Sequence, residues 1–183
     1  MPDATGLELL ARELREADGT GAGAAAPSPV VETVFFRGHG TLVAEPARIR
    51  WVLARLRERG YTFMASLHGV DYYPEEPRLG VLYELLDMRR VDRVTVKVRV
   101  STAAPELDTV CIDSAEGAGW PTAHNQEREV YDMFGVIFRE HPDLRRVMMP
   151  EDYEGHPQRR DFPLGGEPVL FTHNDATSPG WTR

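Results

Sequence analysis

Residues 93–100 read RVTVKVRV, with valine at every even position and a charged or hydroxyl-bearing residue at every odd one. This period of two predicts a β-strand with one buried and one solvated face. A second alternating run, VLYEL at 81–85, precedes it, and Met88-Arg89-Arg90 lies between the two. We therefore expect two antiparallel strands joined through that basic connection.

Upstream of this pair, the sequence predicts a β-hairpin followed by a helix. Residues 30–37 and 41–44 are rich in β-branched and aromatic residues, with Gly38-His39-Gly40 as the turn between them. Pro46 suits the first position of a helix and Gly60 its end. The buried stripe of this helix is expected to consist of Ile49, Val52, Leu53 and Leu56.

The opposite face of this helix is basic. Its arginines are Arg48, Arg50, Arg55, Arg57 and Arg59. Because charged helix faces usually contact water, a solvated face is the preferred interpretation over a docking site.

A further strand is predicted between this helix and the antiparallel pair. Phe63, Ala65 and Leu67 alternate along it with Thr62, Met64 and Ser66, and residues 74–77, PEEP, turn the chain. The order β-β-α-β-β-β predicts an α+β fold, a mostly antiparallel sheet with helix on one face. After the sheet, a short helix is expected to hold Leu107, Val110 and Cys111.

The first residues predict a short amphipathic helix and a linker. Thr5 and Glu8 have the spacing of a capping box, and one helical face carries Leu7, Leu10, Ala11 and Leu14. Residues 19–29, GTGAGAAAPSP, have little bulk to bury and are predicted to be flexible. We expect three divisions: helix and linker at 1–29, the α+β sheet domain at 30–118, and a motif helix with an extended partner-binding arm at 119–183.

Composition limits the functional classes. At 183 residues the chain is long enough for one folded unit with a core. Its 21 Lys and Arg against 29 Asp and Glu give a formal charge of −8, which disfavours general nucleic-acid binding. No apolar run approaches the roughly 20 residues that cross a bilayer, and the first residues lack signal-peptide features. We therefore expect a cytoplasmic chain that meets a membrane only through partners.

Cys111 is the single cysteine. An internal disulfide is therefore excluded. An iron–sulfur cluster usually takes four thiolates, so this chain cannot hold one alone. The simplest interpretation of Cys111 is a small buried apolar residue.

Residues 127–163 read EREVYDMFGVIFREHPDLRRVMMPEDYEGHPQRRDFP, a stretch dense in charges, aromatic rings and prolines. Prolines recur from Pro142 onward, and each fixes φ and removes a backbone donor, which predicts an extended, largely irregular C-terminal arm. The apolar side chains of this arm exceed what so small a domain can cover. Exposed apolar residues in that number indicate an interaction surface.

The start of this stretch is predicted to be a helix closed by Gly135. Arg128 can pair with Asp132 at i+4. The residues expected close to one face are Val130, Met133, Phe134 and Ile137.

Three carboxylates of this helix, Glu127, Glu129 and Asp132, raise the question of acid–base catalysis. The segment offers no nucleophile, cofactor cradle or oxyanion donor pattern. Ion pairs across a junction with a partner protein are therefore the preferred interpretation. Arg145-Arg146 and Arg159-Arg160 are the candidates for the complementary charges.

A metal site built on His141 and His156, with Asp143, Asp152 and Asp161 nearby, is the alternative. No HExxH or comparable ligand spacing accompanies these residues, and each histidine precedes a proline, which favours turn-stabilising hydrogen bonds. Gly165-Gly166 lacks the strand-turn-helix context of a nucleotide-binding loop, and a Walker A motif is absent, so nucleotide binding by this chain is not expected.

Many residues of this stretch, in a fixed order, resemble the motif of one protein family. They are Glu127-Arg128-Glu129, Asp132-Met133-Phe134-Gly135, Phe138, His141-Pro142, Leu144, Arg146, Pro150-Glu151-Asp152, Gly155-His156-Pro157 and Arg160-Asp161-Phe162-Pro163. The family is the 30 kDa subunit, also called the C subunit, of the proton-pumping NADH:quinone oxidoreductase, respiratory complex I. Trp120-Pro121 agrees with its pattern, whereas Ala123-His124-Asn125 stands where members usually show Ala-Asn-Trp.

The resemblance implies a non-catalytic structural subunit of the hydrophilic arm of that enzyme, peripheral to the cell membrane on its cytoplasmic side. Electrons would pass from NADH through FMN and iron–sulfur clusters to quinone, coupled to proton translocation. This chain would bind none of these cofactors, because they lie in partner subunits. The expected partners are the large quinone-site subunit and the neighbouring cluster-bearing subunits.

The residues expected at the partner interface are Glu127, Arg128, Glu129, Asp132, Phe134, Phe138, His141, Arg145, Arg146, Asp152, His156, Arg159, Arg160, Asp161 and Phe162. The departure at His124-Asn125 keeps related assemblies open, a membrane-bound hydrogenase or a dehydrogenase fed by ferredoxin or a deazaflavin. A free-standing metal-dependent enzyme that uses His141 and His156 is the alternative of a different class.

Overall fold

A mixed five-stranded sheet organises the chain in the computed structural model, which describes residues 3–18 and 27–163. The elements in chain order are α1 (Ala4–Asp18), β1 (Val30–Phe36), β2 (His39–Ala44), a 3₁₀ turn (Pro46–Arg48), α2 (Ile49–Glu58), β3 (Phe63–Asp71), β4 (Leu79–Asp87), β5 (Asp92–Val100), β6 (Glu106–Asp108), α3 (Ala123–Phe134) and β7 (Ile137–Arg139).

The strand order in the sheet is β1-β2-β5-β4-β3. Three of the four pairings are antiparallel, and β2 runs parallel to β5. Along β4 and β5, Val81 lies opposite Val98 and Tyr83 opposite Val96, and all four are buried. The alternation seen in the sequence therefore puts both strands' apolar side chains on one face, and the predicted mostly antiparallel α+β fold is confirmed.

The helices cover this apolar face, as predicted. The buried residues of α1 are Leu7, Leu10, Ala11 and Leu14, and those of the predicted α2 stripe are Ile49, Val52, Leu53 and Leu56. Burying one such leucine or isoleucine contributes about 1.5–3 kcal/mol. Amphipathic packing, more than helix propensity, therefore holds both helices in place.

Asp3, and not Thr5, caps α1. The Asp3 carboxylate accepts the Gly6 backbone N–H at 2.7 Å, and the Asp3 carbonyl accepts that of Leu7. The predicted capping box of Thr5 and Glu8 is wrong, because the helix begins two residues earlier, at Ala4, and Thr5 is already helical. Most of the predicted linker, residues 19–26, lies outside the described residues.

The predicted hairpin is confirmed with a shorter turn. Arg37 and Gly38 form it alone, with φ of 49° and 79°. Two consecutive residues of positive φ match the twist of adjacent antiparallel strands. His39 and Gly40, predicted as turn residues, begin β2 instead.

Burial along β3 does not follow the single alternation that the sequence shows. Met64 and Leu67 are buried, whereas Phe63 is 49% exposed and Ala65 is also exposed. The cause is a register shift against β4 between Met64 and Ser66, which moves the alternation by one residue. No period in the sequence marks such a bulge.

A second small sheet replaces the short helix predicted around Leu107. Leu107, Val110 and Cys111 are buried as expected, but Leu107 lies in β6, which pairs in parallel with β7. Ile137 belongs to β7 and is 42% exposed, so its predicted place on the apolar face of α3 is wrong. The pairing of β6 with β7 joins segments on both sides of residue 118. The predicted division of the chain into a sheet domain and a following arm at this residue stays a prediction.

All five arginines of the predicted basic face bind within the chain, and four of them bind segments outside the predicted helix. The predicted solvated face is wrong for Arg48 and Arg50, whose side chains are only 21% and 15% exposed, whereas Arg59 stays exposed. Arg48 pairs with Asp18, and Arg59 with Glu13, both from α1. Arg50 donates to the Thr109 carbonyl at 2.7 Å, and Arg57 to the carbonyl of Ala118 at 3.1 Å. Only Arg55 makes a local pair, with Glu58.

None of the helices within residues 3–18 and 27–163 is long and apolar enough to cross a membrane.

Candidate partner-binding site

The helix α3 is the base of the candidate site. It ends at Phe134 because Gly135 adopts a left-handed conformation with φ of 75°, as predicted. One face packs against β3, where Gly69 makes room for the Phe134 ring, since a Cβ at Gly69 would collide with it. This glycine fixes how closely the helix and the sheet edge approach.

Glu127 on α3 is completely buried and binds within the chain. Its carboxylate accepts the Val110 backbone N–H at 2.8 Å and the Thr109 hydroxyl at 2.5 Å. Burial raises the pKa of Glu127 to about 7. The prediction that Glu127 forms an ion pair with a partner protein is therefore wrong, since no part of its side chain reaches the surface.

His141 closes the other side of this cluster. Its Nε2–H donates to the His124 carbonyl at 3.0 Å, and its Nδ1 accepts the Asp143 backbone N–H at 3.1 Å. The His124 ring lies against it, with centroids 4.7 Å apart. Burial lowers the pKa of His141, which favours the neutral ring. The predicted turn-stabilising hydrogen bonds are confirmed here, and His124 fills part of the space around His141.

A metal does not fit this cluster well. Within the described part of the chain, the group with suitable ligand atoms is Cys111, Glu127 and His141, whose atoms lie within 4.8 Å of one another. Both ring nitrogens of His141 are already used, Nε2 to donate to the His124 carbonyl and Nδ1 to accept from the Asp143 backbone, so ligation by His141 would break a hydrogen bond that holds the fold. His156 is not part of this group, so the two histidines predicted as joint ligands are not brought together.

Asp132 on α3 is the main attachment point of the arm, defined here as residues 140–163. The carboxylate is completely buried. One oxygen accepts three successive backbone N–H groups, from Val147 at 3.0 Å, Met148 at 2.7 Å and Met149 at 2.8 Å, and the other accepts the Arg146 guanidinium at 2.6 Å. Burial alone would raise the pKa of Asp132, but these donors hold it below its ordinary value.

This geometry corrects two predictions. Asp132 pairs with Arg146 of the same chain and not with a partner protein. Arg128 does not pair with Asp132, because its guanidinium donates to the carbonyls of Arg145 and Arg146 at 3.1 and 3.3 Å. The interaction of a helix carboxylate with a loop of consecutive amides was not predicted from the i+4 spacing.

The arm also covers the last turn of α3. His156 donates to the Asp132 carbonyl at 3.0 Å, the Gln158 backbone N–H to the Met133 carbonyl at 3.1 Å, and Arg159 to the Phe134 carbonyl at 2.7 Å. Carbonyls at a helix C-terminus have no partner inside the helix. The arm satisfies three of them, which ties its course to the end of α3.

Arg78 fastens the far end of the arm to the sheet. It is 7% exposed and binds Asp71 at 2.7 and 2.6 Å and Asp161 at 2.8 and 2.6 Å. Asp71 also accepts the Arg160 backbone N–H at 2.7 Å. The bond to Arg78 lowers the pKa of Asp71. A single arginine in a proline-rich turn has no distinguishing sequence pattern, so Arg78 was not predicted.

The predicted interface residues thus separate into three groups. Glu127, Asp132 and Phe138 are buried inside the chain, so the prediction that they contact a partner is wrong. Those with intermediate exposure are Arg128, Phe134, His141, Arg146, His156, Arg159 and Phe162. The exposed ones are Glu129, Arg145, Asp152, Arg160 and Asp161.

Comparisons with known proteins agree with this architecture. Residues 42–168 match the family model described as respiratory-chain NADH dehydrogenase, 30 kDa subunit. The chain is 43% identical over 154 residues to the C subunit of NADH-quinone oxidoreductase from Roseiflexus sp. (strain RS-1), covering 82% of this chain and 85% of that protein. The corresponding protein of Herpetosiphon aurantiacus is 45% identical over 130 residues, covering 71% and 72%.

Solved structures give the same result. The trypsin-resistant fragment (1-134) of Nqo5 superposes with a TM-score of 0.58 at 31% identity, covering 74% of this chain and 98% of the fragment. A chain of the membrane-bound sulfane sulfur reductase, an archaeal respiratory membrane complex, superposes with a TM-score of 0.65 at 23% identity, covering 86% and 85%, and shows the shared fold. The chain therefore belongs to the family of the 30 kDa subunit of respiratory-chain NADH dehydrogenase.

Proposed function

We propose that this chain is a non-catalytic structural subunit of the hydrophilic arm of NADH:quinone oxidoreductase. In the assembled enzyme, electrons pass from NADH through FMN and iron–sulfur clusters in other subunits to quinone, and this transfer is coupled to proton translocation. The chain meets the membrane through its partners, on the cytoplasmic side. The names of its relatives, which are C subunits of NADH-quinone oxidoreductase, support this proposal.

The observation that carries the structural role is the arm fastened along α3. Buried Asp132 holds Val147, Met148 and Met149 by their backbones, and Arg78 holds Asp161. These bonds leave the side chains of Met148 and Arg145 on the outside. A surface that is rigid before binding loses little conformational entropy when a partner covers it. The arm therefore suits a brace between subunits.

The polar residues of the site support a non-catalytic role. The carboxylate oxygens of Glu127 and Asp132 accept hydrogen bonds that join α3 to other segments of the chain. The single cysteine, Cys111, is buried, and four thiolates are usual for an iron–sulfur cluster. Electron carriers would then belong to the partners, which we propose to be the large quinone-site subunit and the cluster-bearing subunits next to it.

Affinity purification of the tagged full chain from its own cells in mild detergent tests this function. Mass spectrometry identifies the co-purifying proteins, and the eluate is assayed for NADH oxidation with quinone. Recovery of cluster-bearing and membrane subunits with this activity is the expected result. Hydrogenase-like partners without NADH oxidation would move the chain to a related assembly, and recovery of the chain alone would contradict a subunit role.

The same preparation also tests the alternative of a free-standing metal-dependent enzyme. Elemental analysis of the isolated chain measures metal per mole of protein. We expect no stoichiometric metal, because in the candidate group of Cys111, Glu127 and His141 both ring nitrogens of His141 already form hydrogen bonds. One bound metal ion per chain would contradict this expectation.

A further inference from the structure

A groove of about 240 Å³ lies between β3, α3 and the arm. Its floor and walls are formed by Gly69 of β3, by Met133 and Phe134 of α3, and by Met148 of the arm. Met133 is 8% exposed, whereas Met148 is 65% exposed. The apolar part of the groove, at Met133, Phe134 and Met148, is open to solvent on the side of the arm. Its lining also includes three polar residues, His68, Glu129 and Gln158.

Glu129 stands at the rim of this groove. Of the three carboxylates on α3, Glu127 and Asp132 are buried and bound within the chain, and Glu129 is exposed. Within residues 3–18 and 27–163, the side-chain carboxylate of Glu129 has no hydrogen-bond or ion-pair partner. An unpaired carboxylate beside an apolar bed is complementary to a cation that flanks an apolar side chain.

The walls of the groove are fixed by bonds already described. Asp132 holds the Met148 backbone at 2.7 Å, and the Gln158 backbone N–H is bound to the Met133 carbonyl at 3.1 Å. Gly69 allows the Phe134 ring to lie against β3. The backbone on each side is set before anything binds, while the unbranched methionine side chains can adapt to a ligand.

We propose that this groove binds a segment of a neighbouring subunit that carries an apolar side chain next to a lysine or arginine. The apolar side chain packs on Met133, Phe134 and Met148, and the cation pairs with Glu129. This inference rests on the proposed function, because it takes the occupant from the same assembly. The proposal places the contact with the neighbouring subunit at this groove, among all the exposed surfaces of α3 and the arm.

Substitution of Met148 tests the apolar contact, with Met88 as its matched control. Both methionines are 65% exposed, and Met88 lies in the connection between β4 and β5. The tagged full chain carrying Met148→Glu or Met88→Glu replaces the natural chain in the cell, and the complex is purified in mild detergent. We expect Met148→Glu to lower the recovery of partner subunits on the order of tenfold, since buried central contacts dominate interfaces. Met88→Glu should recover them as the natural chain does.

Charge reversal at Glu129 tests the cation. Glu129→Lys should weaken recovery of partner subunits severalfold, and Glu129→Gln should weaken it less, because like charges repel across an interface. Glu32, an exposed carboxylate on β1, is the control, and Glu32→Lys should have no effect. Equal thermal unfolding midpoints of the isolated full chains show that no variant acts through the fold.

A photo-crosslinking amino acid placed at Met148 in the assembled complex identifies the occupant. We expect crosslinks to a peptide of another subunit that contains lysine or arginine. Crosslinks to a second copy of this chain, or to lipid, would overturn the proposal, as would full recovery of partners with Met148→Glu. If the natural chain itself recovers no partner subunits, the proposed function fails, which is a different result from failure of the groove alone.

Discussion

The five-stranded sheet and the arm that follows β7 are stabilised by different interactions. The sheet and its helices bury a continuous apolar core, to which the arm adds only the partly buried Leu144. The arm is held by the carboxylates of Asp132 and Asp71, which bind backbone amides and arginines. Apolar burial is spread over many residues, whereas the arm depends on a few buried charges, so single substitutions should affect the two regions differently.

The largest effect is expected from Asp132→Ala. The change leaves the amides of Val147, Met148 and Met149 and the Arg146 guanidinium without their acceptor. Removing one member of a buried ion pair costs about 3–5 kcal/mol. We expect the arm to detach while the sheet stays folded, measured as rapid tryptic cleavage after Arg145 or Arg146 with unchanged tryptophan fluorescence. Asp152→Ala, at an exposed carboxylate of the arm, is the control and should leave cleavage slow.

Leu85→Ala is the matched test on the sheet. Leu85 is 0% exposed, and its removal leaves a cavity in the core. Such a change lowers the free energy of unfolding by about 2–5 kcal/mol. We expect the arm to unfold together with the sheet, because the arm is attached to α3 and β3, which pack on the sheet's core. Urea unfolding should show one transition at lower concentration for both fluorescence and arm cleavage. Cleavage of the arm well before loss of the fluorescence signal would contradict this part of the comparison.

The pH dependence of stability should be set in part by Glu127. Its pKa rises from 4.5 to about 7 on folding, so the folded chain binds more protons between these values, and stability falls as pH rises through that range. Once Glu127 is fully deprotonated, the folded chain has lost about 3 kcal/mol of its stability relative to low pH. Neighbouring charges that affect it are Arg50 and His141.

Glu127→Gln isolates this effect. The variant should unfold in urea with a stability that changes less between pH 5 and pH 8 than that of the natural chain, by about 3 kcal/mol. His141 is present in both chains, so its own titration largely cancels in the difference. Identical pH profiles for the two chains would mean that Glu127 is ionised throughout, against the raised pKa.

The smallest effect is expected from Arg55→Ala on α2. Arg55 forms its ion pair with Glu58, and both side chains are well exposed. Exposed pairs contribute about 0–1 kcal/mol. Arg50→Ala on the same helix is the comparison, because Arg50 is mostly buried and bonds to Thr109 and Glu140. Urea unfolding should show a larger loss for Arg50→Ala, and equal losses would contradict the assignment of these arginines.

The regular part of the fold was predictable because it has a period. Valines at every second position gave β5, and four apolar residues at helical spacing gave α2. The bulge in β3 was not predictable, since an inserted residue changes the phase without leaving a pattern. The family motif marked the correct stretch of the chain, but it gave no indication of which of its charges point inward.

The contacts of the candidate site join residues that are far apart and have no periodic relation. Asp132 reaches amides 15 to 17 positions later, and Arg78 reaches Asp161, 83 positions later. Local spacing favoured Arg128 as the partner of Asp132, but the consecutive amides at Val147–Met149 bind that carboxylate instead. Geometry between irregular segments depends on the folded backbone and cannot be derived from residue types alone.

Amide hydrogen exchange of the isolated full chain, followed by mass spectrometry, tests the central claim most directly. We expect peptides containing Val147, Met148 and Met149 to be protected in the absence of any partner, and Asp132→Asn to remove this protection while β4 and β5 stay protected. If these amides exchange at the rate of an unstructured chain while the sheet is protected, the arm is not preformed, and its role as a rigid brace would be contradicted.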